Sequence, residues 1–176
     1  MTTYVALLRA INVGGRNRVP MEALRALFVR AGARDVRTYI QSGNVVFRCD
    51  DGAAVCAAVS AALWADLGVR APIVVRTAAE LREVVGRAPC DPAATPTLHV
   101  FFLAHRPDPS RVAALDPHRS PGDTFVVVGS EVYVAFGVGA GASKLTVDWF
   151  DGCLGTTATA RNWRTVCALV ALSGGE

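Results

Sequence analysis

The stretch VRTYIQSGNVVF, residues 36–47, decides the fold of the first half of this chain. Val36 to Ile40 and Val45 to Phe47 are short runs of residues that favour strands, and the turn-forming residues Gln41 to Asn44 separate them. This pattern predicts a β-hairpin. Helical patterns lie on both sides of the hairpin in the sequence, so the hairpin is expected to join two strand-and-helix units.

The elements that flank the hairpin complete one fold unit. Before it, Tyr4 to Leu8 is an apolar run that predicts a strand, and a helix is predicted to begin at Pro20, where the missing proline N–H is not needed. After it, Ala53 to Leu67 carries apolar residues at helical spacing, and Ile73 to Val75 predicts another strand. The order β-α-β-β-α-β is ferredoxin-like. A short helix, Ala79 to Val85, is predicted to follow.

The second half loosely repeats this order after a proline-rich polar seam at residues 88–96. Its predicted elements are strand 98–103, helix 109–115, hairpin strands 124–128 and 131–136, a glycine-rich tract 137–142, helix 143–154, an extended piece 157–159 and helix 163–172. The sequence therefore predicts an α+β protein with two ferredoxin-like (β-α-β-β-α-β) halves and antiparallel sheets. The halves are placed at residues 1–88 and 97–176, in one compact unit overall. A residue-level repeat between them is not evident.

The composition indicates a folded protein of a reducing compartment. Of the 176 residues, 52% are hydrophobic and 19% are charged, which is enough apolar surface for a core. The net charge of +3 neither requires nor excludes an acidic partner. The five cysteines are scattered and contain no Cys-x-x-Cys, which argues against a disulfide framework and a zinc site. We expect a cytoplasmic protein with no membrane association, because no apolar run reaches the length of a span, and we predict no cofactor or metal.

The polar loop RAINVGGRNR, residues 9–18, is the main candidate for a binding site. Two adjacent glycines let the backbone approach a ligand and present its N–H groups, and the arginines add positive charge. Phosphate is the anion that such a loop suits, although the Walker motif is absent. A plain strand-to-helix connection with surface arginines is the alternative interpretation, and it stays open. The candidate residues are Arg9, Asn12, Gly14, Gly15, Arg16 and Asn17.

Two further polar segments carry candidate binding residues. Gln41, Ser42 and Asn44 form the predicted hairpin tip, although any tight turn uses such residues. Ser143 and Lys144 lie at the N-terminus of a predicted helix, where free N–H groups and a lysine suit an anion. An N-cap serine beside a solvated lysine explains the same residues without a ligand.

The last polar segment combines three residue types at one predicted helix start. Arg161 beside Trp163 suits stacking on a base or another planar ligand, and Asn162 is a predicted helix N-cap. The alternative is a capped helix in which Trp163 anchors the core and Arg161 forms a salt bridge.

These segments resemble one known family. Residues 4–25, YVALLRAINVGGRNRVPMEALR, and residues 36–47 are similar to the domain-of-unknown-function family 1697. Residues 143–146, SKLT, and residues 159–166, TARNWRTV, look like its C-terminal signatures. The resemblance covers nearly the whole chain and implies a bacterial cytoplasmic α+β protein of two ferredoxin-like halves, with no established activity. The family usually has glycine where this chain has Ala10, which leaves open whether that turn has unusual geometry.

Taken together, the segments predict one shared site at the interface of the two halves, formed by Asn12–Arg18, Gln41–Asn44, Ser143–Lys144 and Arg161–Trp163. The first functional hypothesis is a binding module for a phosphate-bearing ligand, either a nucleotide or nucleic acid. The alternative is a small-molecule enzyme that acts on an anionic substrate, for which the sequence offers no evident general base. In the third hypothesis the polar residues are purely structural, as caps and buried hydrogen bonds. The sequence does not decide between them.

Overall fold

A computed structural model describes residues 1–137 and 139–174 of the chain, and the first half forms one fold unit. The elements are, in chain order, β1 (Thr2–Leu8), α1 (Met21–Arg30), β2 (Arg34–Tyr39), β3 (Asn44–Cys49), α2 (Gly52–Leu67), β4 (Ile73–Thr77) and α3 (Ala78–Gly86). The four strands form an antiparallel sheet in the order β2-β3-β1-β4. The predicted hairpin is formed by β2 and β3, and the order is that of a ferredoxin-like fold.

The second half has the same topology. Its elements are β5 (Leu98–Leu103), α4 (Pro109–Ala113), β6 (Thr124–Val128), β7 (Glu131–Ala135), a 3₁₀ turn (Ala140–Ala142), α5 (Val147–Leu154), β8 (Ala158–Asn162) and α6 (Trp163–Gly174). The antiparallel strand order β6-β7-β5-β8 matches that of the first half strand for strand. The predicted fold class, α+β with two ferredoxin-like halves, is confirmed. No helix among the described residues is both long enough and apolar enough to cross a membrane.

The central strand β1 is buried on both of its faces. Val5 to Leu8 have no exposed surface. Ala6 and Leu8 point into a core that also contains Phe28 of α1 and Leu63 of α2. The intervening side chains point to the opposite face and are buried as well. This explains why β1 is an apolar run instead of an alternating one.

The second sheet is built in the same way around β5. Phe101 and Leu103 belong to the core beneath α5, where the ring centroids of Phe101 and Phe150 lie 5.2 Å apart in an edge-to-face arrangement. Val100 and Phe102, on the other face, have no exposed surface. Both sheets therefore bury both faces of their central strands.

The chain divides into two compact units. One consists of Met1–Arg82 and Ala168–Glu176, and the other of Glu83–Cys167. The last part of α6 thus belongs to the first unit. The boundaries predicted from the proline-rich seam, 1–88 and 97–176, stay a prediction.

Two predicted elements in the second half differ from the structure. The helix predicted from Ser143 begins at Val147, because the Thr146 side chain accepts a hydrogen bond from the Trp149 N–H at 3.2 Å and so caps the helix. The extended piece predicted at residues 157–159 is the longer strand β8, which places Arg161 in a strand and not at a helix start. In the glycine-rich tract, Val138 lies outside the described residues.

The structure reveals a correspondence between the halves that is not evident in the sequence. Arg76 of β4 lies opposite Val5 of β1, and Arg161 of β8 lies opposite Val100 of β5, so the two arginines occupy equivalent positions. Each donates to the carbonyl of the preceding residue, at 2.9 Å for Arg76 and 2.8 Å for Arg161. Both are buried. A residue-level repeat therefore exists at this position.

The correspondence continues into the following helices. The Thr77 side chain accepts from the Glu80 N–H at 3.1 Å at the start of α3, and the Asn162 side chain accepts from the Thr165 N–H at 2.8 Å at the start of α6. In each half the last strand thus runs directly into a helix that its final residue caps. The predicted N-cap role of Asn162 is confirmed, and the repeated unit is β-α-β-β-α-β-α.

Candidate functional site

The loop from Arg9 to Arg18 has an unusual backbone. Its positive φ angles occur at Ala10 (53°), Asn12 (56°), Gly14 (57°), Gly15 (75°) and Asn17 (50°). Glycine adopts this left-handed region freely and asparagine tolerates it, whereas alanine resists it. Ala10 nevertheless adopts the left-handed geometry that a glycine would permit, so the turn is unusual despite the alanine.

The strain at Ala10 leads to a stability prediction. Because a left-handed alanine is disfavoured, Ala10→Gly should raise the free energy of unfolding by up to about 1 kcal/mol, after the greater entropy of glycine in the unfolded chain is subtracted. The measurement is chemical denaturation. Ala26→Gly, in the middle of helix α1, is the matched control and should lower stability by about 1 kcal/mol. Equal losses in both variants would contradict the strain at residue 10.

The Asn12 side chain holds the loop closed and joins it to the hairpin tip. Its Oδ1 accepts from the Val19 N–H at 2.8 Å. Its Nδ2 donates to the Val19 carbonyl at 2.9 Å and to the Gln41 carbonyl at 3.0 Å. Two of the predicted segments, Asn12–Arg18 and Gln41–Asn44, therefore lie together, and one amide connects them.

Asn17 closes the loop from the other side. Its Nδ2 donates to the Ala10 carbonyl at 3.0 Å, and its own carbonyl accepts from the Asn12 N–H at 3.0 Å. These amides thus build the loop itself. The side chains of Arg16 and Arg18 are exposed.

The hairpin tip is held by a fully buried amide. The Asn44 Nδ2 donates to the Tyr39 carbonyl at 3.1 Å and to Ser42 Oγ at 2.9 Å. The Gly43 carbonyl accepts from the Leu8 N–H at 2.8 Å. Next to the tip, Ile40 combines a φ of 47° with an exposed side chain. A β-branched residue with a positive φ is a genuine outlier, and such strain persists only where the surrounding structure imposes it.

A groove of about 660 Å³ opens between the loop, the tip and the start of α1. It is lined by Asn12, Gly15, Arg18, Val19, Pro20, Met21, Glu22 and Gln41. Pro20 precedes α1, and no side chain among the described residues caps this helix, so its first N–H groups have no partner within the helix. The groove therefore combines a guanidinium, backbone N–H groups and apolar residues, with Glu22 as the acidic side chain among these lining residues. Sequence reasoning missed Val19 to Glu22 as lining residues, and the uncapped proline at the helix start was the signal for them.

Ser143 and Lys144 are held by a turn of the second unit and precede α5 without starting it. The Lys144 N–H donates to Ser120 Oγ at 3.2 Å, and Ser143 Oγ accepts from the Leu145 N–H at 2.9 Å. Burial raises the pKa of the Asp123 carboxyl, but hydrogen bonds from Ser120, Ser143 and the backbone outweigh it and hold that pKa below its usual value. The Lys144 side chain is exposed.

The Arg161 side chain is buried in β8. Its guanidinium donates to Thr159 Oγ1 at 3.0 Å and to the Ala160 carbonyl at 2.8 Å. Burial lowers its pKa to about 10, so the group remains charged at neutral pH. Trp163 is half-buried at the start of α6. The sequence pattern did not show that Arg161 is enclosed.

The structure thus brings together the two predicted segments of the first unit, and it places Ser143–Lys144 and Arg161–Trp163 in the second. The shared site of all four segments stays a prediction. No three His, Cys, Asp or Glu side chains of the described residues come together as a metal site requires.

Comparison with known proteins finds a family of unknown function and a solved structure of similar fold. A family model described as "Protein of unknown function (DUF1697)" matches residues 1–133. No curated protein matches the sequence. Among solved structures, the conserved bacterial protein SP0830 from Streptococcus pneumoniae is similar over 99% of each chain, with a TM-score of 0.76 and 19% sequence identity. At this identity the likeness shows the fold alone.

Proposed function

The chain belongs to the DUF1697 family of proteins of unknown function, and we propose that it binds a phosphate-bearing small molecule in the groove beside α1. The observation that carries the proposal is the strained loop at Arg9–Arg18. A left-handed alanine such as Ala10 is costly, and such backbone outliers cluster at ligand-binding sites. Here the amides of Asn12 and Asn17 hold the strained loop in place.

The groove offers the groups that recognise a phosphate. Arg18 supplies a positive charge, and Gly15 leaves the backbone open to close approach, because even an added Cβ at that position would have no atom within 4 Å. The N-terminus of α1 carries free N–H groups and a partial positive charge, which favours anions. Glu22 lies on the same groove and opposes an anion, so it is expected to weaken binding.

A small molecule fits this surface better than a nucleic acid. The groove volume of about 660 Å³ lies within the range of small-molecule sites, roughly 300–1,000 Å³. RNA-recognition domains of similar topology read bases with exposed aromatic residues on the sheet, whereas both faces of β1 and β5 are buried here. The proposal includes a cytoplasmic location, which the five free thiols support.

The test is a thermal-shift titration with inorganic phosphate, nucleotides, sugar phosphates and a short oligonucleotide. A ligand that binds the folded protein raises its melting temperature by mass action. We expect Arg18→Gln to abolish the shift and Glu22→Gln to increase it, because the two charges act on the anion with opposite sign. Arg82→Gln, at an exposed arginine outside the groove, is the control and should respond like wild type. No shift with any phosphate compound would overturn the proposal and favour a structural role for the loop.

A further inference from the structure

The four edge strands of the two sheets are protected to different degrees. β4 has no exposed residue, and β8 has one, Asn162, after four buried or partly buried residues. β2 is exposed but carries Arg34, Asp35 and Arg37 and a break in its pairing register. Charges and register breaks on an edge strand prevent pairing with another chain.

β6 has none of these protections. Its sequence, Thr124-Phe-Val-Val-Val128, is uncharged, contains no proline and pairs with β7 in an unbroken register. All five of its residues are at least partly exposed, and 46% of the Val126 surface is accessible. Along the described chain its other side faces no strand. An edge of this kind is a template for an added strand.

We propose that β6 pairs with β6 of a second copy of this chain, so that two four-stranded sheets become one continuous sheet across a two-fold axis. An antiparallel pair centred on Val126 sets Thr124 opposite Val128 and Phe125 opposite Val127. The strand is self-complementary in this register, because only uncharged residues that favour strands face each other. A second copy is therefore the partner that this edge fits.

The hydrogen-bonding pattern selects the same register. Gly129 and Ser130 connect β6 to β7 as a two-residue hairpin loop, which Val128 and Glu131 close. In such a hairpin the closing pair is hydrogen-bonded, and hydrogen-bonded pairs then alternate with non-hydrogen-bonded pairs along the strands. Phe125 and Val127 belong to non-hydrogen-bonded pairs, so their N–H and C=O groups point away from β7. Pairing centred on Val126 uses these outward groups on both strands.

An apolar groove extends the surface beside the edge. It has a volume of about 300 Å³ and is lined by Arg106, Pro107, Pro109, Val112, Ala113, Val127 and Gly129. Val127 belongs to both the groove and the strand. Side chains of an added strand therefore have apolar surface to cover beyond the strand edge itself.

The test introduces into β6 the arginine that the edge strand β2 carries at the equivalent position. Val126 lies opposite Tyr133 of β7, and Arg37 lies opposite Val46 of β3. Tyr133 and Val46 pair in turn with equivalent positions of β5 and β1, so Val126 and Arg37 occupy equivalent positions of the two edge strands. Val126→Arg therefore gives β6 the residue that protects β2. It places two like charges next to each other at the two-fold axis, where side chains of a non-hydrogen-bonded pair are closest.

We expect the wild-type protein to sediment with twice its chain mass of 18.5 kDa and Val126→Arg to sediment as a monomer. Val127→Pro, which removes an outward N–H group, should also be monomeric, and Arg37→Gln on β2 should remain a dimer. Circular dichroism melts show that each variant is folded. A wild-type protein that stays monomeric at concentrations up to about 1 mM, the level of a weak association, would overturn the proposal. This holds even if the β6 edge binds a peptide as an added strand. A dimer that Val126→Arg leaves intact would also overturn it.

Discussion

Gly43→Ala will destabilise the protein by about 3 kcal/mol, from overpacking together with an unfavourable φ. Gly43 has a φ of 80°, and an added Cβ would lie 2.8 Å from the Leu8 Cβ and 3.0 Å from the Ile11 side chain. Leu8 and Ile11 are buried in the core, and the Leu8 Cβ is fixed to the backbone of the central strand. Relief therefore requires that the hairpin tip moves away from β1, which breaks the hydrogen bond from the Leu8 N–H to the Gly43 carbonyl.

The matched control separates the clash from the backbone angle. Gly32 has a similar φ of 93°, but nothing lies within 4 Å of an added Cβ. Gly32→Ala should therefore lower the free energy of unfolding only by the cost of placing alanine in the left-handed region, about 1 kcal/mol. For a chain of this size, 3 kcal/mol corresponds to a fall in melting temperature of about 6–12 °C. Equal losses in the two variants would show that Gly43 is not closely packed.

The fold was predictable because its signals are local and repeated. The turn residues Gln41 to Asn44 sit between two strand-forming runs, and apolar runs such as Leu98–Leu103 mark the central strands in both halves. The helix start predicted at Ser143 was wrong, because Ser143 and Thr146 are both good cap residues and periodicity does not choose between them. The Thr146 side chain makes the cap to Trp149, and Ser143 Oγ accepts from Leu145 instead.

The candidate site was predictable only in part. The sequence places Asn12 and Gln41 in separate loops, and their contact follows from the pairing of β1 with β3, which is a long-range property. Asn12 and Asn17 were predicted as ligand-binding residues for their amides. The structure shows those amides in hydrogen bonds to backbone groups of the loop, of Val19 and of the hairpin tip, a role that residue type alone does not distinguish from ligand binding. Any role of Asn12 in contacting a ligand stays a prediction.

The equivalence of Arg76 and Arg161 was invisible in the sequence because the two halves share little else. Thr77 follows the first arginine and Asn162 the second, and these residues cap their helices with different side chains. Only the strand register aligns them. A buried guanidinium at the same position of each half indicates that the position is used structurally in both.

Arg161→Ala will therefore lower stability by about 3 kcal/mol, because it leaves buried acceptors unsatisfied and opens space in β8. The hydrogen bonds lost include those to Thr159 Oγ1 and the Ala160 carbonyl. Arg161→Met keeps the volume of the side-chain stem but not the hydrogen bonds, so it should recover only part of the loss. Arg76→Ala, at the equivalent position of β4, should destabilise as well, which a ligand-binding role confined to Arg161 does not predict.

Chemical denaturation of these three variants, together with the phosphate thermal-shift titration, decides what Arg161 does. A structural arginine lowers the unfolding free energy when it is removed but leaves the ligand-induced shift of the surviving folded protein unchanged. A ligand-binding arginine would show the reverse, with stability near wild type and no ligand-induced shift. Because the Arg161 side chain is buried, only 8% exposed, and bonded to its own strand, the first result is expected. The two buried arginines then belong to the framework of the two ferredoxin-like halves, and the phosphate-binding proposal concerns the groove beside α1, where Arg18 is exposed.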